Sequence, residues 1–245
     1  MTITLGIDLA SADATTAACS IEWTGETARI VELRPTGVQD KDIVQLAAKA
    51  DVTGIDAPFG WPLPFSESLT AYASGAPWPK AKDDALWFRA TDVHATTKSG
   101  GRPPLSVSSD RIARPAVRAA LLLTLLGRKG KAVARDGTDR IIEVYPAGAM
   151  RSWHLSMHGY KRPNATDVRG ALATELLDGA RVTASNEERR DLAATDHALD
   201  ALVAALVARA FAIGRVLPPP AELADIARVE GWLYLPAGSL ADLRG

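Results

Sequence analysis

The chain has one cysteine, Cys19, which excludes an internal disulfide framework. It falls in an apolar, strand-like run and is expected to be a packed, reduced thiol of an intracellular, cytoplasmic protein. Long hydrophobic runs are also lacking. Leu121-Leu-Leu-Thr-Leu-Leu126 is far too short to span a bilayer, so no membrane association is expected. The N-terminal residues enter a strand pattern at once, without a basic leader or a cleavage site, and no secretory signal is expected. No Gly-x-Gly-x-x-Gly, Walker-type loop or Ser-centred nucleophile elbow occurs, which sets aside the motif-borne phosphate-loop and serine chemistries. An ATP-dependent kinase of the actin and sugar-kinase type shares the opening strands, but that architecture needs paired domains and Gly-rich phosphate loops, and the chain has neither.

What remains is ordinary in amount and informative in position. The 245 residues are 47% hydrophobic and 23% charged, the balance of a globular protein, and read as one domain over residues 1–245. A net charge of −1 offers nothing in favour of nucleic acid. Its distribution says more: between Lys98 and Arg135 nine Lys or Arg stand against one acid, Asp110. Such a stretch either meets phosphates or is a solvated basic face, the commoner meaning of a charge run.

Residues 2–10 alternate around Ile3, Leu5 and Ile7 as a first strand ending near Asp8. Residues 15–23 and 27–33 are two further strands, with Thr24-Gly25-Glu26 as their turn. A helix follows over 39–50, with Asp40 as its cap, then a fourth strand, Val52-Thr-Gly-Ile-Asp56. Residues 57–135 form a helical and irregular insertion that begins in a proline-rich stretch, holds a short helix over 82–90 and has a flexible tip at Ser99-Gly-Gly-Arg-Pro-Pro104. Within it, residues 111–126 read as a mostly buried helix capped by Ser109 or Asp110. A fifth strand over 140–145, helices over 166–177 and 191–213, and a short edge segment within 226–235 complete an α/β pattern.

The late helix is the most telling stretch. From Ala198 to Gly214 only Asp200 and Arg209 carry charge, so the helix is buried on most sides. Asp196 and Asp200, four residues apart, share a face of it. Two carboxylates on a mostly apolar helix call for a cation; alternatively, Asp196 favours the helix dipole at the start and Asp200 is exposed. Asp8 and Asp56 close the first and fourth strands, and Glu143 lies on the fifth. In an open α/β sheet, functional groups gather at the carboxyl ends of neighbouring strands. Five acids converging there make a nest that Mg²⁺ or Mn²⁺ could neutralise, and such ions activate water and stabilise the leaving oxygen in phosphodiester cleavage.

Gly6-Ile-Asp8, Gly54-Ile-Asp-Ala-Pro58 with Gly60-Trp-Pro62, Phe88-Arg-Ala-Thr-Asp92, Glu143-Val-Tyr-Pro146 and Asp196-His-Ala-Leu-Asp-Ala-Leu202 together resemble the predicted RNase H-like nuclease family, also called domain of unknown function 429. The likeness runs from Gly6 to about Pro236. It implies the ribonuclease H-like fold, a five-stranded mixed sheet flanked by helices, here with the insertion after the fourth strand. His197-Ala-Leu-Asp200-Ala is similar to the His-x-x-Asp-Ala pattern of the Holliday-junction resolvases, whose carboxylate binds catalytic metal. By that resemblance Asp8, Asp56 and Asp200 are the metal ligands. Two departures stand out: the resolvases carry Glu where this chain has Asp56, and Glu143 has no firm counterpart.

Arg89 and Asp92, three apart, either contact a phosphate and order a ligand or form a local salt bridge, the favoured reading. His154 and His158 have zinc-like spacing but no third ligand in register, and read as surface or packing residues. His197 either orients one of the neighbouring acids or is structural. The expected function is a metal-dependent nuclease. Its catalytic residues would be Asp8, Asp56, Glu143, Asp196 and Asp200, with Mg²⁺ or Mn²⁺ on Asp8, Asp56 and Asp200. Nucleic acid, DNA or RNA, is the expected partner, contacted by Arg89, Arg111, Arg114 and Lys161. The alternative is a non-catalytic nucleotide- or protein-binding module on the same fold.

Overall fold

The computed structural model describes residues 1–25, 27–78, 84–100, 103–108, 110–127 and 132–244. Three antiparallel strands open the chain: β1 (Thr2–Asp8), β2 (Ala17–Thr24) and β3 (Thr27–Arg34). Helix α1 (Asp40–Ala47) crosses over to β4 (Val52–Asp56), which pairs parallel with β1. Gln39, not Asp40, caps α1, because Asp42 sits at the third helical position and its carboxylate accepts from the Gln39 amide at 3.1 Å. The segment after β4 holds α2 (Leu63–Ala73), a single 3₁₀ turn at Asp84–Leu86, and α3 (Ala90–Ser99). Parts of the expected helix over 82–90 and of the tip at 99–104, and the candidate cap Ser109, lie outside the described residues.

Helix α4 (Asp110–Leu126) leads to β5 (Ile141–Val144), parallel to β4, and Pro146 then opens α5 (Pro146–Ser152). Helix α6 (Thr166–Ala180), the two-residue β6 (Val182–Thr183), α7 (Asn186–Ala194) and α8 (Asp196–Ala212) follow, with α9 (Ala224–Glu230) and β7 (Leu233–Tyr234) at the end. The sheet order is β6-β3-β2-β1-β4-β5-β7. Seven strands replace the expected five, since β6 adds to β3 on one edge and β7 to β5 on the other. The single helix expected over 191–213 is two, broken at Thr195. That residue is extended (φ −130°, ψ 146°), and its hydroxyl accepts from the Ala198 amide at 3.0 Å, capping α8.

Side chains alternate across β1, so Leu5, Ile7 and Leu9 enter one core with Ile55 and with Ile43, Leu46, Ala119, Leu122 and Leu123 of α1 and α4. Helix α4 thus packs beside α1 on the sheet. Gly6 and Asp8 face the other way, towards α8. The same alternation on β4 turns Gly54 and Asp56 to that side, and Gly6 pairs with Gly54 in register. Two glycines side by side leave a trough, and the backbone of α8 lies in it. A Cβ on Gly6 would overlap the Ala201 carbonyl oxygen and the Ala205 amide nitrogen, and one on Gly54 would come within 2.7 Å of the Ala204 carbonyl oxygen. Residues 198–210 of α8 are all buried as a result, and most of them are Ala, Leu or Val.

The trough yields a stability test. Gly6→Ala should destabilise the protein by about 3 kcal/mol or more, because neither the strand nor the helix backbone can yield a methyl's width. Gly170→Ala on α6 is the control: its new methyl would make only ordinary contact, 3.7 Å from Ala193 Cβ. It should gain roughly 0.5–1 kcal/mol of helix propensity. Denaturant midpoints of the two variants should move in opposite directions.

Candidate metal centre

Asp8 and Asp56 are register partners at the carboxyl ends of β1 and β4, each two residues beyond the glycine that admits α8. Asp200 stands on α8 next to Ala201, whose carbonyl rests over Gly6. The close approach of helix to sheet therefore carries the third carboxylate to the other two. One oxygen from each of Asp8, Asp56 and Asp200 lies within 4.8 Å of the others, a group that could hold a metal ion. Asp200 is buried, and Asp8 and Asp56 are half-buried.

Three side chains answer these carboxylates. Tyr160 donates its hydroxyl to Asp200 Oδ1 at 3.0 Å, and Lys161 Nζ pairs with Asp200 Oδ2 at 2.7 Å. His197 Nδ1 lies 2.6 Å from Asp8 Oδ2 and carries the hydrogen when that carboxylate is ionised. The loop bearing Tyr160 and Lys161 is held by the buried Arg169. Its Nη1 donates to the carbonyls of Tyr160 (2.9 Å) and Arg162 (3.0 Å), while Nε and Nη2 reach those of Ala193 and Ala194 at the end of α7.

The charges remain crowded. Burial first, then Asp8 and Asp200, push the Asp56 carboxyl well above the usual range, with Lys161 opposing. Burial raises Asp200 to about 6, with Asp8 adding to the rise and Lys161 and Tyr160 opposing it. The hydrogen bond to Asp8 is the main cause that raises His197, against a desolvation that would lower it. Hard oxygen donors, excess negative charge and an ammonium already drawn onto one carboxylate fit a divalent cation.

A family model described as "Protein of unknown function (DUF429)" matches residues 6–224. The chain belongs to the DUF429 family. No curated protein and no solved structure matches it. The DUF429 span contains Gly6, Gly54, all three carboxylates, Tyr160, Lys161, Arg169 and His197.

Other expected site residues fall elsewhere. Glu143 is buried, and both its oxygens are taken by Arg89, at 2.6 and 2.7 Å, with the Phe59 amide donating to one of them at 2.9 Å. Arg89 itself is 2% exposed and does not serve as a phosphate contact. All five of its guanidinium N–H groups are used, on Asp92, Glu143 and the Glu230 carbonyl, so the local Arg89–Asp92 salt bridge is present as part of a larger network. The Glu230 carboxylate accepts from the first amides of α2 and α3, at Leu63 (2.7 Å) and Ala90 (2.8 Å), tying both helices to α9. Asp196, half-buried at the start of α8, is not one of the three clustered acids but lends negative potential to His197 and Tyr160. His154 and His158 are both exposed beyond the end of α5.

Of the basic run, Arg102, Arg128, Lys129 and Lys131 lie outside the described residues. Arg118 is engaged with Asp13, Asp40, Thr16 and the Ala10 carbonyl, which ties α4 to the loop just after Asp8. Arg111 and Arg114, earlier on α4, are exposed. Tyr160 and Arg169 carry no sequence signal, being a loop tyrosine and a helical arginine of ordinary context. The two glycines were legible as a repeated Gly-Ile-Asp, each glycine on the same strand face as its aspartate.

Asp200 makes stability depend on pH. Its folded pKa of about 6 lies above the ordinary 3.8, so between these values the folded form holds a proton that the unfolded chain releases. Acidification in that window stabilises the fold, and the gain is lost as pH rises through about 6. Metal-free protein taken from pH 7 to pH 5 should gain about 1 kcal/mol from this group. Thermal melts at the two pH values should show that gain shrink in Asp200→Asn, which has no proton to bind.

Proposed function

We propose that the protein is a metal-dependent phosphodiesterase acting on nucleic acid, with Asp8, Asp56 and Asp200 as ligands for Mg²⁺ or Mn²⁺. The observation that carries this reading is the meeting of three carboxylates, from two adjacent parallel strand ends and a buried helix, within 4.8 Å. When bound, such an ion supplies an activated water and stabilises the charge developing on the leaving oxygen. The protein's own groups orient the ligands. His197 fixes the Asp8 carboxylate, and Tyr160 fixes Asp200 Oδ1. Arg111 and Arg114, exposed on α4, offer positive charge for a phosphate backbone.

The inner strands, in the order β3-β2-β1-β4-β5 with only β2 antiparallel to the rest, suit the ribonuclease H-like fold that the sequence motifs suggest. On that fold β6 and β7 are edge additions. A non-catalytic binding module on the same framework is the second reading, favoured by one observation, the Lys161–Asp200 pair that already meets part of the negative charge.

The two readings part on cleavage. Purified protein with Mg²⁺ or Mn²⁺ should cut at least one of single-stranded DNA, duplex DNA, RNA and a four-way junction, and should not do so in a chelator. Asp8→Asn and Asp200→Asn should each lower the rate on the order of 10²-fold or more while melting no earlier than wild type, since each relieves repulsion. Absence of cleavage across the panel, together with equal Mn²⁺ binding by wild type and both variants, would leave the binding-module reading.

A further inference from the structure

The arrangement around Asp200 goes beyond a set of ligands. We propose that Lys161 takes the place of a second metal ion, so that the nest admits one divalent cation together with the Lys161 ammonium. The inference rests on the metal reading given above and specifies the ion count of that same site.

Charge balance is the first argument. Three ionised carboxylates with one divalent ion keep a single negative charge, and one ammonium cancels it. Among the described residues, Lys161 is the one lysine or arginine in ion-pair contact with Asp8, Asp56 or Asp200.

Geometry is the second. A two-ion site sets its metals roughly 3.5–4 Å apart and needs a carboxylate shared between them. An ion bridged through Asp200 would have to approach one of its oxygens to about 2.1 Å. Lys161 Nζ already stands 2.7 Å from Oδ2, and the Tyr160 hydroxyl holds Oδ1 at 3.0 Å. Each oxygen retains a lone pair for one metal contact. A further ion at Oδ2 would have to share that oxygen with the ammonium, at close range to its charge.

The third argument is how the lysine is mounted. Its side chain is 55% exposed, as a solvated loop lysine would be, yet the carbonyls of both flanking residues are clamped by the one buried guanidinium of Arg169. The same guanidinium binds the Ala193 and Ala194 carbonyls, immediately before the helix that carries Asp200. The backbone of Lys161 is thereby fixed relative to its partner, and the ammonium also lies 5.5 Å from the Tyr160 ring centroid. A lysine that merely solvates a loop needs none of this support.

The test is metal stoichiometry, read without any activity. Full-length metal-free wild type, Lys161→Met, Lys161→Gln and Asp200→Asn are titrated with Mn²⁺ by calorimetry and by the electron spin resonance of free Mn²⁺, after circular dichroism shows each to be folded. The expected result is one Mn²⁺ per chain for wild type and two, the second weaker, for whichever uncharged Lys161 variant folds. Two ions on wild type, or one on both wild type and the Lys161 variants, overturn the role of Lys161 and leave the metal reading standing. No ion on wild type but one on Lys161→Met also overturns it, because the lysine would then exclude the metal rather than accompany it. No ion on any of the proteins removes the metal reading and this inference with it.

Discussion

A helix backbone pressed against two glycines is the constraint on which the rest of the molecule depends. Sheet–helix packing ordinarily holds the two apart by the depth of the intervening side chains. At Gly6 and Gly54 there are none, and Ala201, Ala204 and Ala205 present the helix backbone itself. The small residues of α8 and the paired glycines are two halves of one contact, and neither is explained without the other. Because strand side chains alternate, the residue two beyond each glycine faces the same helix, and in both strands that residue is aspartate. Close approach and carboxylate clustering are therefore one geometric event.

Among the described residues are two gatherings of acids, and the molecule treats them in opposite ways. Asp92 and Glu143 share Arg89, whose five donors are all spent on them and on a carbonyl, so that cluster is closed and its role is to tie α3, β5 and the segment after Asp56 together. Asp8, Asp56 and Asp200 receive an ammonium, an imidazole and a phenol, which does not discharge them. At 4.8 Å and an effective dielectric near 20, each ionised pair repels by about 3 kcal/mol, so three pairs approach the whole stability of a typical domain. A proton or a cation must answer for that, and crowding and burial push Asp56 and Asp200 in the direction that favours the proton. The contrast separates acids that hold the fold from acids that the fold holds ready.

Much of this was legible in the chain because the signals were periodic or positional. Alternation marks β1, runs rich in Thr, Val and Ile mark β2 and β3, and the near absence of charge along α8 marks its burial. Strand ends and one helix face place Asp8, Asp56 and Asp200 among five candidate acids, and the resemblance to the resolvase pattern singles out the three. What is not legible has physical reasons. β6 and β7 are two residues each, too short for alternation to register. The break between α7 and α8 has neither glycine nor proline, and rests on one threonine hydroxyl bonding an amide three residues on. Glu143 shares the strand position of the other acids, but its partner Arg89 lies 54 residues away, and no local pattern carries a pairing of that separation.

The same reasoning bears on why the site is built from rigid elements rather than loops. A nest of like charges pushes itself apart, and only elements fixed by unrelated forces can keep it closed. Asp8 and Asp56 are held by strand pairing and Asp200 by a helix buried along its length, none of which weakens when the carboxylates ionise. The one loop contribution, Tyr160 and Lys161, is attractive to Asp200 and would be expected to wander without support; it is also the one that a buried arginine clamps through four backbone carbonyls. Repulsive partners sit on the stiffest parts of the fold, and the attractive partner, which must stay in place when its carboxylate is shared with an ion, is given a brace of its own.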